Sequence, residues 1–134
     1  MKLLNLSFVL VLVLALFSCS DDDEGELCLQ SDWIGTYTGT VNCDGVPADV
    51  TVTITANGSE AIDIKYVFME DMNSTTEVEL GPFTAASCDI DVSNTVGGVE
   101  LALDANLDGD ELLLNDVAND GSVSSTCAIT AEKN

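Results

Sequence analysis

The chain contains no histidine, and its only basic residues are three lysines, Lys2, Lys65 and Lys133. Without histidine it lacks the usual general base near neutral pH and the commonest transition-metal ligand. Ser-His-Asp and Cys-His nucleophile systems are excluded with it. Without arginine there is no bidentate clamp for phosphate or carboxylate groups. No glycine-rich phosphate loop occurs, and no Cys-x-x-Cys spacing that would mark a four-thiolate zinc site. No segment carries a helical apolar period. What is abundant is acid: 24 Asp and Glu give a formal net charge of −21. A surface this negative repels nucleic acid and anionic headgroups. A carboxylate-only hydrolase is compatible with this composition, but no acid pair is marked. The expectation is a non-catalytic protein with no cofactor and no nucleic-acid partner.

The first twenty-four residues set the compartment. Lys2 is the charge of an n-region, and Leu3 to Phe17 is apolar apart from Asn5 and Ser7. That run falls short of the roughly 20 residues a membrane-spanning helix needs and suits a signal-peptide h-region. It ends in Leu16-Phe17-Ser18-Cys19, which resembles the lipobox of bacterial lipoproteins. The resemblance implies cleavage before Cys19 and acylation of its thiol, with the outer membrane as partner through the lipid anchor. Each buried methylene contributes about 0.8 kcal/mol to such anchoring. Ser20-Asp21-Asp22-Asp23-Glu24 follows. By charge alone it is a solvated, self-repelling spacer. It also resembles the surface-export signal of Bacteroidota lipoproteins, which implies display on the cell surface; the alternative is the periplasmic face. The expected organisation is a signal peptide at 1–18, a lipidated cysteine and acidic tether at 19–31, and one domain at 32–134.

With Cys19 acylated, Cys28, Cys43, Cys88 and Cys127 remain. An even count in an exported chain reads as two disulfides. Three pairings are possible.

From residue 32 onward the chain alternates with period two. Trp33, Tyr37, Val41 and Cys43 share one face, with Gly35 and Gly39 between them. Val50, Val52 and Ile54 oppose Thr51, Thr53 and Thr55. Ile62, Ile64, Tyr66 and Phe68 form a third apolar face. Residues 69–76 read as a polar loop, and 77–80 as a short acidic strand closed by Gly81-Pro82. Further runs place Cys88, Ile90 and Val92 together, then Val99, Leu101 and Leu103, then Leu112 and Leu114, and last Val123, Ser125, Cys127 and Ile129. Asp44-Gly45, Asn57-Gly58, Asp108-Gly109 and Asn119-Asp120-Gly121 supply turns. About eight strands with short connections predict an all-β, antiparallel up-and-down barrel, which removes exposed edges. A β-sandwich is the alternative, with 69–76 as its one candidate crossing. Barrel closure makes the first and last strands neighbours, which favours Cys43–Cys127 with Cys28–Cys88.

Asp32-Trp33-Ile34-Gly35-Thr36-Tyr37 resembles the first strand of lipocalin-like (calycin) domains, and the whole resembles the compact lipocalin-like lipoproteins of Bacteroidota. The resemblance implies a tryptophan plugging one end and an apolar pocket inside, with Trp33, Tyr37, Ile64, Tyr66, Phe68 and Leu101 as candidate ligand-binding residues. The plainer reading is that these side chains fill the core, since an eight-stranded barrel has little interior to spare. Asp104-x-Asn106-x-Asp108-Gly109-Asp110 matches the first half of a calcium loop, with Asp104, Asn106, Asp108 and Asp110 as candidate metal ligands. Its twelfth position is Asn115, and Asp-Gly between two strands is a hairpin signal, so a turn is favoured. The functional expectation is a lipid-anchored barrel that holds a small apolar ligand. The alternative is an interaction module that meets a protein or glycan through an acidic, Thr-rich exterior.

Overall fold

In the computed structural model, residues 27–71 and 73–134 are described. The expected signal peptide, Cys19 and the acidic run lie outside the described residues. The chain forms a single-turn helix, α1 (Gln30–Trp33), and eight strands: β1 (Gly35–Cys43), β2 (Val46–Asn57), β3 (Ala61–Asp71), β4 (Ser74–Thr84), β5 (Asp89–Val96), β6 (Val99–Asp108), β7 (Glu111–Asn119) and β8 (Ser124–Lys133). All strand pairs are antiparallel, in the order β4-β3-β2-β1-β8-β7-β6-β5. The first and last strands do pair, with Gly39 opposite Ala131 and Cys43 opposite Cys127. The up-and-down barrel is therefore present and nearly closed.

The alternation places the core. Tyr37 and Val41 on β1, Val50, Val52 and Ile54 on β2, and Ile62, Ile64, Tyr66 and Phe68 on β3 all face inward and are buried. Leu103, Ala105 and Leu107 on β6, Leu112 and Leu114 on β7, and Ile129 and Ala131 on β8 meet them. Threonines take the outward positions of β1 and β2, in register as Thr36 with Thr53 and Thr38 with Thr51.

The structure corrects four expectations. Trp33 belongs to α1 and not to the first strand. Asp32 makes that turn locally: its N–H donates to Leu29 O (2.9 Å), and its carboxylate accepts from the Leu29 N–H (2.7 Å). The fold also begins before residue 32, because Cys28 is bonded to Cys88 and the Gln30 amide donates to the carbonyls of Gly58 and Ala61. Residues 69–76 are not a loop. Met69 pairs with Thr75 and Phe68 with Thr76, so the β3–β4 ladder continues to Asp71 opposite Ser74, and among the described residues no sandwich crossing exists. Finally, closure is incomplete. β4 and β5 are the two ends of the sheet and share no ladder.

That seam has a cause in the chain path. β4 bulges at Gly81-Pro82, where the register shifts opposite β3 between Ile62 and Ile64. Gly81 has φ +125°, and a Cβ there would lie 3.0 Å from Ile62 O, so the close approach requires glycine. Pro82 has no N–H to offer a ladder and suits an edge. The chain then crosses the end of the barrel instead of turning back. Ala85 N–H donates to Glu60 O, Leu107 N–H donates to Cys88 O, and Cys88 is tied to Cys28.

The two ends of the barrel differ. At the α1 end Trp33 is fully buried, and its indole N–H donates to Ser87 O (3.0 Å). The Tyr37 hydroxyl donates to Trp33 O (2.8 Å), and burial, with Asp110 and Asp32 nearby, pushes its pKa up to about 12. Lys133 completes this end: its Nζ donates to Asp32 O (2.7 Å) and sits 5.7 Å from the Tyr37 ring centre. The other end is open.

Candidate functional site

On β2, β7 and β8 the inward positions become small toward the open end. On β2 the series Ile54, Val52, Val50 ends in Ala48. On β8, Ala131 and Ile129 give way to Cys127 and Ser125, and on β7, Leu112 and Leu114 give way to Asp116 and Ala118. Small side chains cannot fill a barrel that Trp33, Tyr37 and the isoleucines fill at the other end. The result is a cleft of about 490 Å³ at the open mouth. Its walls include Ala48, Tyr66, Phe68, Thr76, Val78, Ala118 and the Cys43–Cys127 disulfide. A volume of this size falls in the range of small-molecule sites, roughly 300–1,000 Å³. The interior is thus filled at the α1 end, and a cleft opens at the other.

One charged side chain is built into this wall. Asp116 lies on the inward face of β7, opposite Leu103 on β6 and Cys127 on β8. The Tyr66 hydroxyl reaches it from β3, donating to Oδ2 at 2.8 Å across the barrel. Burial pushes the Tyr66 hydroxyl well above the ordinary tyrosine range, and its bond to the Asp116 carboxylate adds to that shift. The Phe68 ring stacks near Tyr66, with centroids 6.1 Å apart. Glu70 and Asp44 stand at the rim. Asp44 is committed to the turn: its carboxylate accepts from Thr126 N–H (2.9 Å) and Ser125 Oγ (3.1 Å).

A second cleft, of about 530 Å³, follows the β4–β5 seam. Leu80 and Phe83 line one side, Val92, Leu101 and Leu103 the other, and Asp116 closes it inside. Asp116 therefore borders both spaces. The seam explains why Val92 and Leu101 are 38% and 41% exposed although their strand partners turn them inward.

The candidate ligand residues separate into two groups. Tyr66 and Phe68 line the mouth cleft, and Leu101 lines the seam. Trp33, Tyr37 and Ile64 are sealed in the closed half and border none of these spaces. Asp116, Ala48, Val78 and Ala118 were not among the expected residues. The signal for Asp116 is parity: it stands two and four positions after Leu114 and Leu112, on their face.

The calcium-type segment does not assemble. Asp104, Asn106 and Asp108 lie along β6, and Gly109-Asp110 is the two-residue turn to β7. Extended backbone spaces alternate side chains by about 6.6 Å, whereas calcium gathers 6–8 oxygens at about 2.3–2.6 Å. Asn106 instead donates to Asp89 Oδ1 (2.6 Å) on the neighbouring strand. Among the described residues no three Asp, Glu or Cys side chains converge as a metal site. Both expected disulfides form: Cys28–Cys88 pins the closed end, and Cys43–Cys127 bridges β1 to β8 at the mouth.

Comparison with known proteins finds no matching family model and no matching curated protein.

Proposed function

We propose that this is a lipid-anchored, surface-exposed, non-catalytic barrel that binds a small apolar ligand in the open half of its interior. The observation that carries the reading is the difference between the two ends of the barrel: one is plugged by Trp33, and the other holds a cleft of about 490 Å³ walled by Tyr66, Phe68 and Val78. The plugged end and the strand order also support the lipocalin-like resemblance. The anchor rests on Leu16-Phe17-Ser18-Cys19, and surface display on the acidic run after it. An alternative, docking through the acidic Thr-rich exterior, draws on the paired threonines of β1 and β2.

The test is native mass spectrometry of protein extracted from membranes of the producing cells. An apolar adduct of defined mass is expected. It should be lost when Ala118→Leu and Ala48→Leu together fill the mouth. Uniformly adduct-free protein that also takes up no apolar probe would sink the reading. Digestion of intact cells with a protease should remove the domain while leaving periplasmic markers whole.

A further inference from the structure

The wall of the mouth cleft is asymmetric in its charge. Its surface is aromatic and aliphatic, yet the charged groups it carries are all acidic: Asp116 inside, with Glu70 and Asp44 at the rim. The two lysines among the described residues are placed elsewhere. Lys65 is on the outer face, 2.7 Å from Glu77 and 3.8 Å from Glu79. Lys133 is at the plugged end, bonded to Asp32 O. An apolar ligand with an anionic head would therefore meet only like charge in the cleft. The one hydroxyl that reaches in from an aromatic wall, that of Tyr66, already donates to Asp116. That bond engages Oδ2 and fixes the carboxylate's direction, and a carboxylate accepts more than one hydrogen bond.

From this we infer that the cleft takes an apolar molecule bearing a protonated amine, with the amine on Asp116 and the apolar body against Phe68, Val78 and the disulfide. The inference rests on the ligand-binding reading above and adds the charge of the head. Such a pairing is a charge-assisted hydrogen bond in a partly dry site, stronger than a neutral one.

The full mature chain is titrated calorimetrically with dodecylamine, dodecanol and dodecanoate below their aggregation limits, in 0.15 M salt to screen the overall charge. Dodecylamine should bind at least about tenfold more tightly than dodecanol, as a charged hydrogen bond of ordinary strength requires, and dodecanoate should bind most weakly. In Asp116→Asn, whose amide oxygen still accepts from Tyr66, the amine should fall to within about threefold of the alcohol. Asp91→Asn, which removes one exterior carboxylate, should leave the preference intact. Equal or tighter binding of dodecanol or dodecanoate overturns the amine assignment and leaves the ligand-binding reading standing. An amine preference that survives Asp116→Asn overturns it too, since the overall charge would then be its source. Binding of none of the three overturns both.

Discussion

Tyr66 and Asp116 show how a single polar pair is tolerated inside an apolar barrel. The tyrosine is 1% exposed, and a buried hydroxyl without a partner is costly, so the 2.8 Å bond to Asp116 is what makes the position viable. Tyr66→Phe should destabilise by about 1 kcal/mol in chemical denaturation. The two tyrosines also predict the alkaline limit of the fold. Each has its pKa raised on folding, Tyr37 to about 12. The folded state therefore binds protons more tightly than the unfolded state, and the stability this gives is complete below about pH 10. It is lost as pH rises from there through about 12. Tyrosinate absorbance should appear only together with loss of the far-ultraviolet strand signal. Free titration of either ring near pH 10 in folded protein would contradict the closed packing. Asp116 itself was legible only in part. Its parity with Leu112 and Leu114 can be read along the chain, but its partner is fifty residues away on a strand that only the closed sheet brings opposite.

At the level of elements, the pairing of β1 with β8 decides whether eight strands make a barrel or an open sheet. Gly39 sits where these strands press together: a Cβ there would overlap the Thr130 carbonyl oxygen and lie 2.6 Å from Ala131 Cα. Gly39→Ala should cost about 1–3 kcal/mol, the usual range for overpacking. A melting temperature at or above the parent's would show that the ladder yields at this position. The disulfides should separate by location. Each closes a long stretch, with separations of 60 and 84 residues, and a bridge typically contributes about 2–4 kcal/mol. Cys28→Ser with Cys88→Ser should also shift Trp33 emission to the red, since that bridge holds the plug. Cys43→Ser with Cys127→Ser should leave Trp33 unchanged and weaken the mouth. Strands such as β2 were plain in the sequence because Val50, Val52 and Ile54 alternate with threonine. The β3–β4 hairpin was not: Met69, Glu70, Ser74 and Thr75 lack apolar alternation because they project past the core. The seam escaped because nothing local in Asp89–Val96 tells a strand with two neighbours from one with a single neighbour.

The whole molecule is organised by its charge. With a net charge of −21, self-repulsion opposes the compact state, and the repulsion is felt most where carboxylates face one another across strands. One such row is explicit: Asp108 pairs with Glu111, and Glu111 pairs with Glu132, on exposed positions of β6, β7 and β8. Glu111→Lys replaces the central charge of that row by its opposite and reduces the net charge by two. Cross-strand charge pairs are worth about 0.2–1 kcal/mol each, so a gain of that order is expected at low ionic strength. Screening then supplies the check. The Debye length falls from about 30 Å at 0.01 M to about 8 Å at 0.15 M. Over the same interval the parent should gain stability, because its long-range repulsion is screened, while the advantage of Glu111→Lys should shrink. Thermal melts of both proteins across that salt series would test this. An advantage that stays constant with salt would point to packing or strand propensity at Glu111. One that grows with salt would show that charge is not what limits the fold.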